Sequence, residues 1–171
     1  MDVSEYTDGV VRRATEHGYE RVLADGELFS DVLVMSFTSP FPEGREQQLL
    51  AVGDFDAVDA DTVERGIARL RMIGRAETRV TGRVAEAEGR VVVRPLLPVF
   101  ASDGIDEATK SSVEGMYVED DPEIQIPLLA EVGGADDPET AVSITSPRAP
   151  RGAAGARRRI VAELVSTLCE P

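Results

Sequence analysis

The chain has 171 residues, of which 42% are hydrophobic, so it is long enough to bury a core and too apolar to be disordered by composition. Its 32 acids outweigh its 18 bases and give a formal net charge of −14. One cysteine, Cys169, excludes an internal disulfide and cysteine-based zinc sites, and one histidine, His17, excludes any site that needs two histidine ligands.

The composition also constrains the environment of the protein. Every base except Lys110 is arginine, aromatic residues make up 5% of the chain, and tryptophan is absent. This mixture is typical of salt-adapted archaea and of high-GC bacteria, and we favour salt adaptation. Because molar salt shortens the Debye length to about 3 Å, an acidic surface then serves solubility and does not by itself indicate a basic ligand.

No segment predicts export or insertion into a membrane. Residues 1–20 lack a basic stretch followed by an apolar run, and the most apolar stretch, residues 90–101, contains Arg94 and two prolines. We therefore expect a soluble cytoplasmic protein.

The first half of the chain predicts a helix followed by three strands. Tyr6, Val10 and Ala14 recur at helical spacing within residues 4–17, and Gly18 is placed to end that helix. The strands are expected before the Asp25-Gly26 turn, around residues 32–37, and at residues 45–55 as an antiparallel partner.

The middle of the chain predicts a second helix and a hairpin. Asp59 or Asp61 can cap the helix, and Gly74 is placed to end it. The buried face of this helix is expected to consist of Val63, Ile67 and Leu70. Residues 76–100 then favour two strands joined by a turn at Glu86–Gly89, with Thr78, Val80 and Val84 in the first strand and Val91–Val93 in the second.

The last third predicts a strand pair and a final helix. Residues 103–118 are ambiguous, with a short helix as one interpretation. Residues 123–132 and 140–147 favour two strands around a turn at Gly133–Pro138. The final helix carries Ile160, Leu164 and Leu168 at intervals of four.

These elements together predict an α+β fold. Because hairpins outnumber crossovers, we expect a mostly antiparallel sheet of about six to seven strands, with N-terminal, middle and C-terminal helices packed on one face. Residues 1–145 would form the core domain. Residues 146–155, rich in proline, glycine and arginine, would form a linker, and residues 156–171 a helix that docks on the core beside the acidic residues 101–140.

The stretch "GIDEATKS", Gly104 to Ser111, resembles a phosphate-binding loop. Lys110 and Ser111 stand in register with that motif, but Thr109 replaces its second glycine, and Asp106 would repel an anion. We therefore expect a helix start capped by Asp103 or Asp106, with no bound nucleotide.

Acidic residues at 54–61 match a metal loop only in part. The stretch "DFDAVDAD" has Asp54 and Asp56 at the first and third positions of a calcium loop, but Asp59 stands where glycine is required and Arg65 where the bidentate acid is required. We expect Asp59 and Asp61 to be helix caps, and we predict no metal, no cofactor and no catalytic constellation. His17 is expected at the end of the first helix, and Cys169 in a place open to water.

Arginine clusters are the candidate binding residues. Residues 141–171 carry five bases and two acids, whereas residues 101–140 carry twelve acids and one base. The candidates for docking a partner or a polyanion are Arg79, Arg83, Arg148, Arg151, Arg157, Arg158 and Arg159. This interpretation places Arg79 and Arg83 on a strand.

Three functions follow from these features. The first hypothesis is a non-enzymatic adaptor that binds another protein or a second copy of itself. The alternatives are a nucleic-acid or nucleotide-binding protein that uses the arginine clusters, which is not favoured because no aromatic residue lies among Arg65–Arg83, and an enzyme based on carboxylates with or without a divalent cation.

Overall fold

A computed structural model defines the fold. The structure describes residues 1–23, 27–39, 44–87, 91–116, 123–133, 142–148 and 163–171.

The described part of the chain contains helices and strands in the order expected of an α+β protein. The helices are α1 (Val3–Glu16), α2 (Ala60–Ala87) and α3 (Glu107–Glu114). The strands are β1 (Glu20–Leu23), β2 (Asp31–Ser39), β3 (Gly44–Asp54), β4 (Val91–Ser102), β5 (Glu123–Gln125), β6 (Leu128–Val132) and β7 (Val142–Thr145). A π-helical segment, Val165–Cys169, follows and is named the terminal turn.

All seven strands belong to one mixed sheet. The strand order is β1-β2-β3-β4-β6-β7, and β5 pairs with β4 ahead of β6. The pairs β1-β2, β2-β3 and β6-β7 are antiparallel, whereas β3-β4, β4-β5 and β4-β6 are parallel. The prediction of a mostly antiparallel sheet is therefore wrong at its centre. Helices α2 and α3 carry the chain back to the same end of the sheet each time, and such crossovers produce parallel neighbours.

Helix α2 is longer than predicted. It continues through Gly74 to Ala87, so the predicted strand with Thr78, Val80 and Val84, and the turn at Glu86–Gly89 that would join it to β4, are both wrong. Val80 and Val84 are four residues apart, a spacing that fits one face of a helix as well as a strand. Gly74 is buried within the helix, and its cost of about 1 kcal/mol relative to alanine is small beside the packing of a whole helix face.

Helices cover both faces of the sheet, which corrects the expectation of a single covered face. On one face, Tyr6, Val10 and Ala14 of α1 and Leu168 of the terminal turn share a core with the sheet. On the other face, the sheet packs against α2 and α3 through a second core. Its helical members include Val63, Leu70, Ile73 and Val113.

Several helix boundaries and buried faces are confirmed. Helix α1 ends before Gly18, which has a φ of 93° that favours glycine. Val63 and Leu70 are buried in α2, and Ile67 is partly buried beside them. The ambiguous residues 103–118 contain the short helix α3.

The predicted division into core, linker and docking helix stays a prediction. Most of the linker, and Ile160 of the final helix, lie outside the described residues. Within residues 163–171, Leu164 and Leu168 pack against the α1 core.

Candidate functional site

Three helices begin at the same end of the sheet, where the parallel strands finish. Helices α2 and α3 follow β3 and β4 closely, and a bridge between Val58 and Ile105 joins the two connecting loops. The carbonyl oxygen of Met1, just before α1, lies beside Gly133, just after β6. In sheets of this kind, ligands commonly bind at the carboxyl ends of the strands, so this end is the first place to look for a site.

Each of these helix starts carries its own aspartate cap. The carboxylate of Asp59 accepts hydrogen bonds from Thr62 N at 2.8 Å and from Thr62 Oγ1 at 2.7 Å. Asp106 accepts from Thr109 N at 2.7 Å and from Thr109 Oγ1 at 2.9 Å. These hydrogen bonds lower the pKa of Asp59 and of Asp106, so both carboxyls are held ionised.

The first helix is capped in the same way. Glu5 N donates to Asp2 Oδ1 at 2.8 Å, and Asp2 N donates to Glu5 Oε2 at 3.0 Å, which completes a capping box. At each of the three helix starts, one backbone N–H that could receive a phosphate is thus satisfied by a carboxylate of the chain itself.

The stretch that resembles a phosphate-binding loop, Gly104 to Ser111, contains the capped start of α3. Asp106 caps α3, as one of the two predicted residues, and Lys110 Nζ donates to Glu107 Oε1 at 2.9 Å and to Glu131 Oε2 at 2.8 Å. The two carboxylates raise the pKa of Lys110. Its ammonium group therefore holds two acids together, where a phosphate-binding lysine would reach a nucleotide.

Asp54, Asp56 and Asp61, at the same end of the sheet, are exposed to solvent. Asp54 and Asp56 are exposed at the end of β3, and Asp61 pairs with Arg65 at 3.6 Å. The prediction that Asp59 caps a helix is confirmed. Within the described segments, no group of three or more histidine, cysteine, aspartate or glutamate residues could hold a metal ion.

His17 and Cys169 occupy contrasting places. His17 lies exposed at the C-terminal end of α1, as predicted, with Nδ1 at 2.8 Å from the carbonyl oxygen of Arg13. Cys169 is buried, so the expectation that it stands open to water is wrong. Burial raises the pKa of its thiol to about 11, which leaves it a protonated and poor nucleophile at neutral pH.

A cluster around Cys169 was missed in the sequence. Tyr6 Oη donates to the carbonyl oxygen of Cys169 at 2.9 Å, and Arg13 Nε donates to that of Leu168 at 3.0 Å. Burial raises the pKa of Tyr6. Arg13 Nη2 is buried and has no hydrogen-bond partner among the described residues. Tyr6 and Cys169 are 163 positions apart, and the only signal in the sequence was the apolar stripe that ends at Leu168.

The predicted arginine candidates are dispersed. Arg79 and Arg83 lie one turn apart in α2, not on a strand. Arg148 Nη2 pairs with Glu114 Oε2 at 2.7 Å, and Arg148 N donates to the carbonyl oxygen of Glu114 at 3.2 Å. Arg151, Arg157, Arg158 and Arg159 lie outside the described residues. The binding role of all these arginines stays a prediction.

The outward surface of α2 presents an apolar side chain to solvent. Met72 is 62% exposed, and Ala68 and Ala76, one turn before and after it, are also exposed. Among the described large hydrophobic residues, only Met1 and Val22 are also exposed, at 53% and 39%. Met72 is therefore the one large hydrophobic side chain that is exposed among the α2 residues whose side chains the structure describes, 60–76.

Comparison with known proteins adds no assignment. Searches of protein-family models, of curated proteins and of solved structures found no match to this chain. None of the described helices is both long enough and apolar enough to cross a membrane.

Proposed function

We propose that this chain is a non-enzymatic recognition domain that binds another protein through the outer face of α2. This face consists of Ala68, Met72 and Ala76, with Asp61 and Arg65 along the same side of the helix. The observation that carries the proposal is Met72, which stays 62% exposed although Leu70 and Ile73 beside it in sequence are buried.

The energetic argument rests on the methionine. Covering a side chain of this size contributes about 1.5–3 kcal/mol. Methionine is unbranched and polarisable, so it adapts to the shape of different partners. An apolar centre with the ion pair Asp61–Arg65 at its border has the arrangement of a small interface, in which polar residues surround the buried contact.

The shape of the outer face favours a helical partner. Positions 68, 72 and 76 recur once per turn, so they form a row along the helix axis. The alanines on either side of Met72 let a second helix approach closely. Arg65 and Arg75 are both exposed near this row, and we therefore propose an amphipathic helix with acidic residues at its margin as the partner.

Site-specific photo-cross-linking tests this function. A photoreactive amino acid placed at position 72 should capture one defined protein from an extract of the source organism, and the same group at exposed Ala57 should not. Untagged Met72→Glu protein added in excess should fail to compete for this capture, whereas the untagged matched variant Ala57→Glu should compete as the unmodified protein does. Equal capture from both positions, or undiminished competition by Met72→Glu, would contradict the proposal.

The proposed setting is a salt-loaded cytoplasm. A single thiol that stays reduced suits that compartment. Molar salt screens the acidic residues at the helix starts, so short-range apolar contact governs binding. Measurements of binding at low and at molar salt should therefore show that the contact persists in molar salt.

The two alternative functions have weaker support. A nucleotide would have to compete with the carboxylates of Asp59 and Asp106 for the helix starts, and with Glu107 and Glu131 for Lys110. A general acid needs a carboxyl with a raised pKa, whereas the pKa values of Asp59 and Asp106 are lowered.

A further inference from the structure

The two edges of the sheet are built differently. Strand β1 has a shift in its pairing between Arg21 and Leu23, and Arg21 Nε pairs with Asp31 Oδ1 of β2 at 2.6 Å. Irregular pairing and charged side chains are devices that keep an edge strand from pairing with another chain. The β1 edge is therefore protected.

Strand β7, at the opposite edge, carries none of these devices. Its sequence, Val142-Ser143-Ile144-Thr145, is uncharged and contains three β-branched residues, which favour extended pairing. It pairs with β6 in an unbroken register, from Leu129 opposite Thr145 to Val132 opposite Val142. No strand among the described residues pairs with its outer side.

The apolar side chains of β7 are also incompletely covered. Val142 and Ile144 pack against the core of the α1 face, yet both are only partly buried. Ser143, between them, is exposed. A strand added beside β7 would cover the two apolar side chains and satisfy the outward backbone groups of β7 at the same time.

We propose that β7 pairs with β7 of a second copy of this chain, antiparallel and centred on Ser143, so that the sheet runs through both copies. This inference uses the opposite edge of the sheet from β1 and does not depend on the outer face of α2. A twofold interface must be self-complementary, and this register places Val142 opposite Ile144 of the partner twice, with Ser143 opposite its own counterpart.

Charge limits the places at which a second copy can approach. A chain with a net charge of −14 repels its own copies over most approaches, whereas β7 offers an uncharged seam. The four-residue strand gives a small contact, so we expect a reversible dimer that molar salt strengthens because it screens the remaining repulsion.

Sedimentation equilibrium tests the proposal in molar salt. Across about three decades of protein concentration, the mass should rise from 18.4 kDa toward twice that value. Ser143→Lys should hold the protein at the monomer mass, because two lysines opposite each other at the twofold axis would lose hydration on pairing, while Ser143→Thr should behave as the unmodified chain. Val22→Lys, at the protected β1 edge, is the matched control and should leave the dimer intact.

A cross-link makes the register testable independently. Opposed residues of neighbouring strands have Cβ atoms about 4.5–5.5 Å apart, close to the spacing of a disulfide, so Ser143→Cys should give a disulfide-linked dimer on mild oxidation. Ala57→Cys should not. A wild-type monomer at every concentration, a dimer that survives Ser143→Lys, or equal dissociation by Ser143→Lys and Val22→Lys would overturn the proposal.

Discussion

On the α2 face of the sheet, the helix comes so close that a glycine is needed, whereas on the α1 face specific hydrogen bonds hold the helix and the terminal turn. A Cβ atom at Gly66 would overlap the ring of Phe100, which also packs against Phe29 and Phe55 with ring centroids 5.9 and 5.7 Å apart. On this face, close packing between Gly66 and the ring of Phe100 therefore sets the position of α2.

The α1 face relies on polar partners. Tyr6 and Arg13 bind backbone carbonyls of the terminal turn, and Tyr19 Oη donates to Gln48 Oε1 of β3 at 2.7 Å. Hydrogen bonds depend on direction, so they fix one position of the turn, while close packing tolerates chemical change but not added volume. Mutations should therefore affect the two faces through different physical causes.

The largest effect is expected where volume is added to the α2 face. Gly66→Val should lower the free energy of unfolding by about 3 kcal/mol, because Phe100 and the helix must move apart. Urea denaturation measures this loss. Ala68→Val, on the exposed side of the same helix, is the control for β-branching and should cost only a few tenths of a kcal/mol; similar losses for both would show that the close approach is not what matters.

The next effect is expected on the α1 face. Tyr6→Phe removes the donor to a buried carbonyl and should destabilise the fold by about 1–3 kcal/mol. The same change should loosen the terminal turn and raise the rate at which a thiol reagent modifies Cys169 by about tenfold, the equivalent of about 1.4 kcal/mol.

Tyr19→Phe is the matched control for that experiment. It removes a buried hydroxyl from the same face but leaves the bond to Cys169 in place, so the reactivity of Cys169 should stay unchanged. An equal increase in both variants would mean that the thiol becomes accessible only by general loosening.

A smaller effect is expected from alkaline pH. The pKa of the Cys169 thiol is raised in the fold to about 11, so its contribution to stability is complete below the unfolded pKa of about 8.5 and is lost as pH rises toward 11. Stability should fall by roughly 1–2 kcal/mol between pH 8 and pH 10. Cys169→Ala should fall less steeply in the same denaturation series; an identical slope would remove the thiol as the cause.

The smallest effect is expected at the aspartate caps of the α2 face. Asp59→Ala and Asp106→Ala should each destabilise the protein slightly, and the same change at Asp56, an exposed acid that is not a helix cap, should not. Because the pKa of both caps is lowered, their contribution is present above the unfolded value and disappears as pH falls through the folded one. Thermal unfolding should therefore show a smaller difference between Asp59→Ala and the wild type at about pH 2 than at pH 7.

Helix caps and buried helix faces were predictable from the sequence, because each depends on residues that are close together in the chain. Asp59 and Asp106 stand before helical stripes, Gly18 follows one, and Tyr6, Val10 and Ala14 recur at helical spacing, so these caps and faces needed no knowledge of the rest of the fold. The parallel centre of the sheet was not predictable in the same way. The parallel pairing depends on the length of α2, because this helix carries the chain back to the same end of the sheet. Gly74 and the β-branched residues after it favour a helix end near Gly74, but tertiary packing overrides that local preference.

The site around Cys169 was hidden for a different reason. Near residue 169, only the apolar stripe that ends at Leu168 indicates burial, and the residues that cover Cys169 belong to α1, far away in the sequence. Its partners, Tyr6 and Arg13, lie in a helix whose periodicity predicts only a buried face, not what covers it. Long-range partners of this kind carry no local pattern.

The pairing of Tyr6 with Cys169 has a consequence for biosynthesis. Helix α1 is translated before the strands on which it packs, but the carbonyl that its tyrosine binds appears 163 residues later. At about 5–20 residues per second, this leaves α1 without that partner for roughly 8–30 seconds. The α2 face can assemble while translation continues, whereas the α1 face is completed only after the ribosome has passed Cys169.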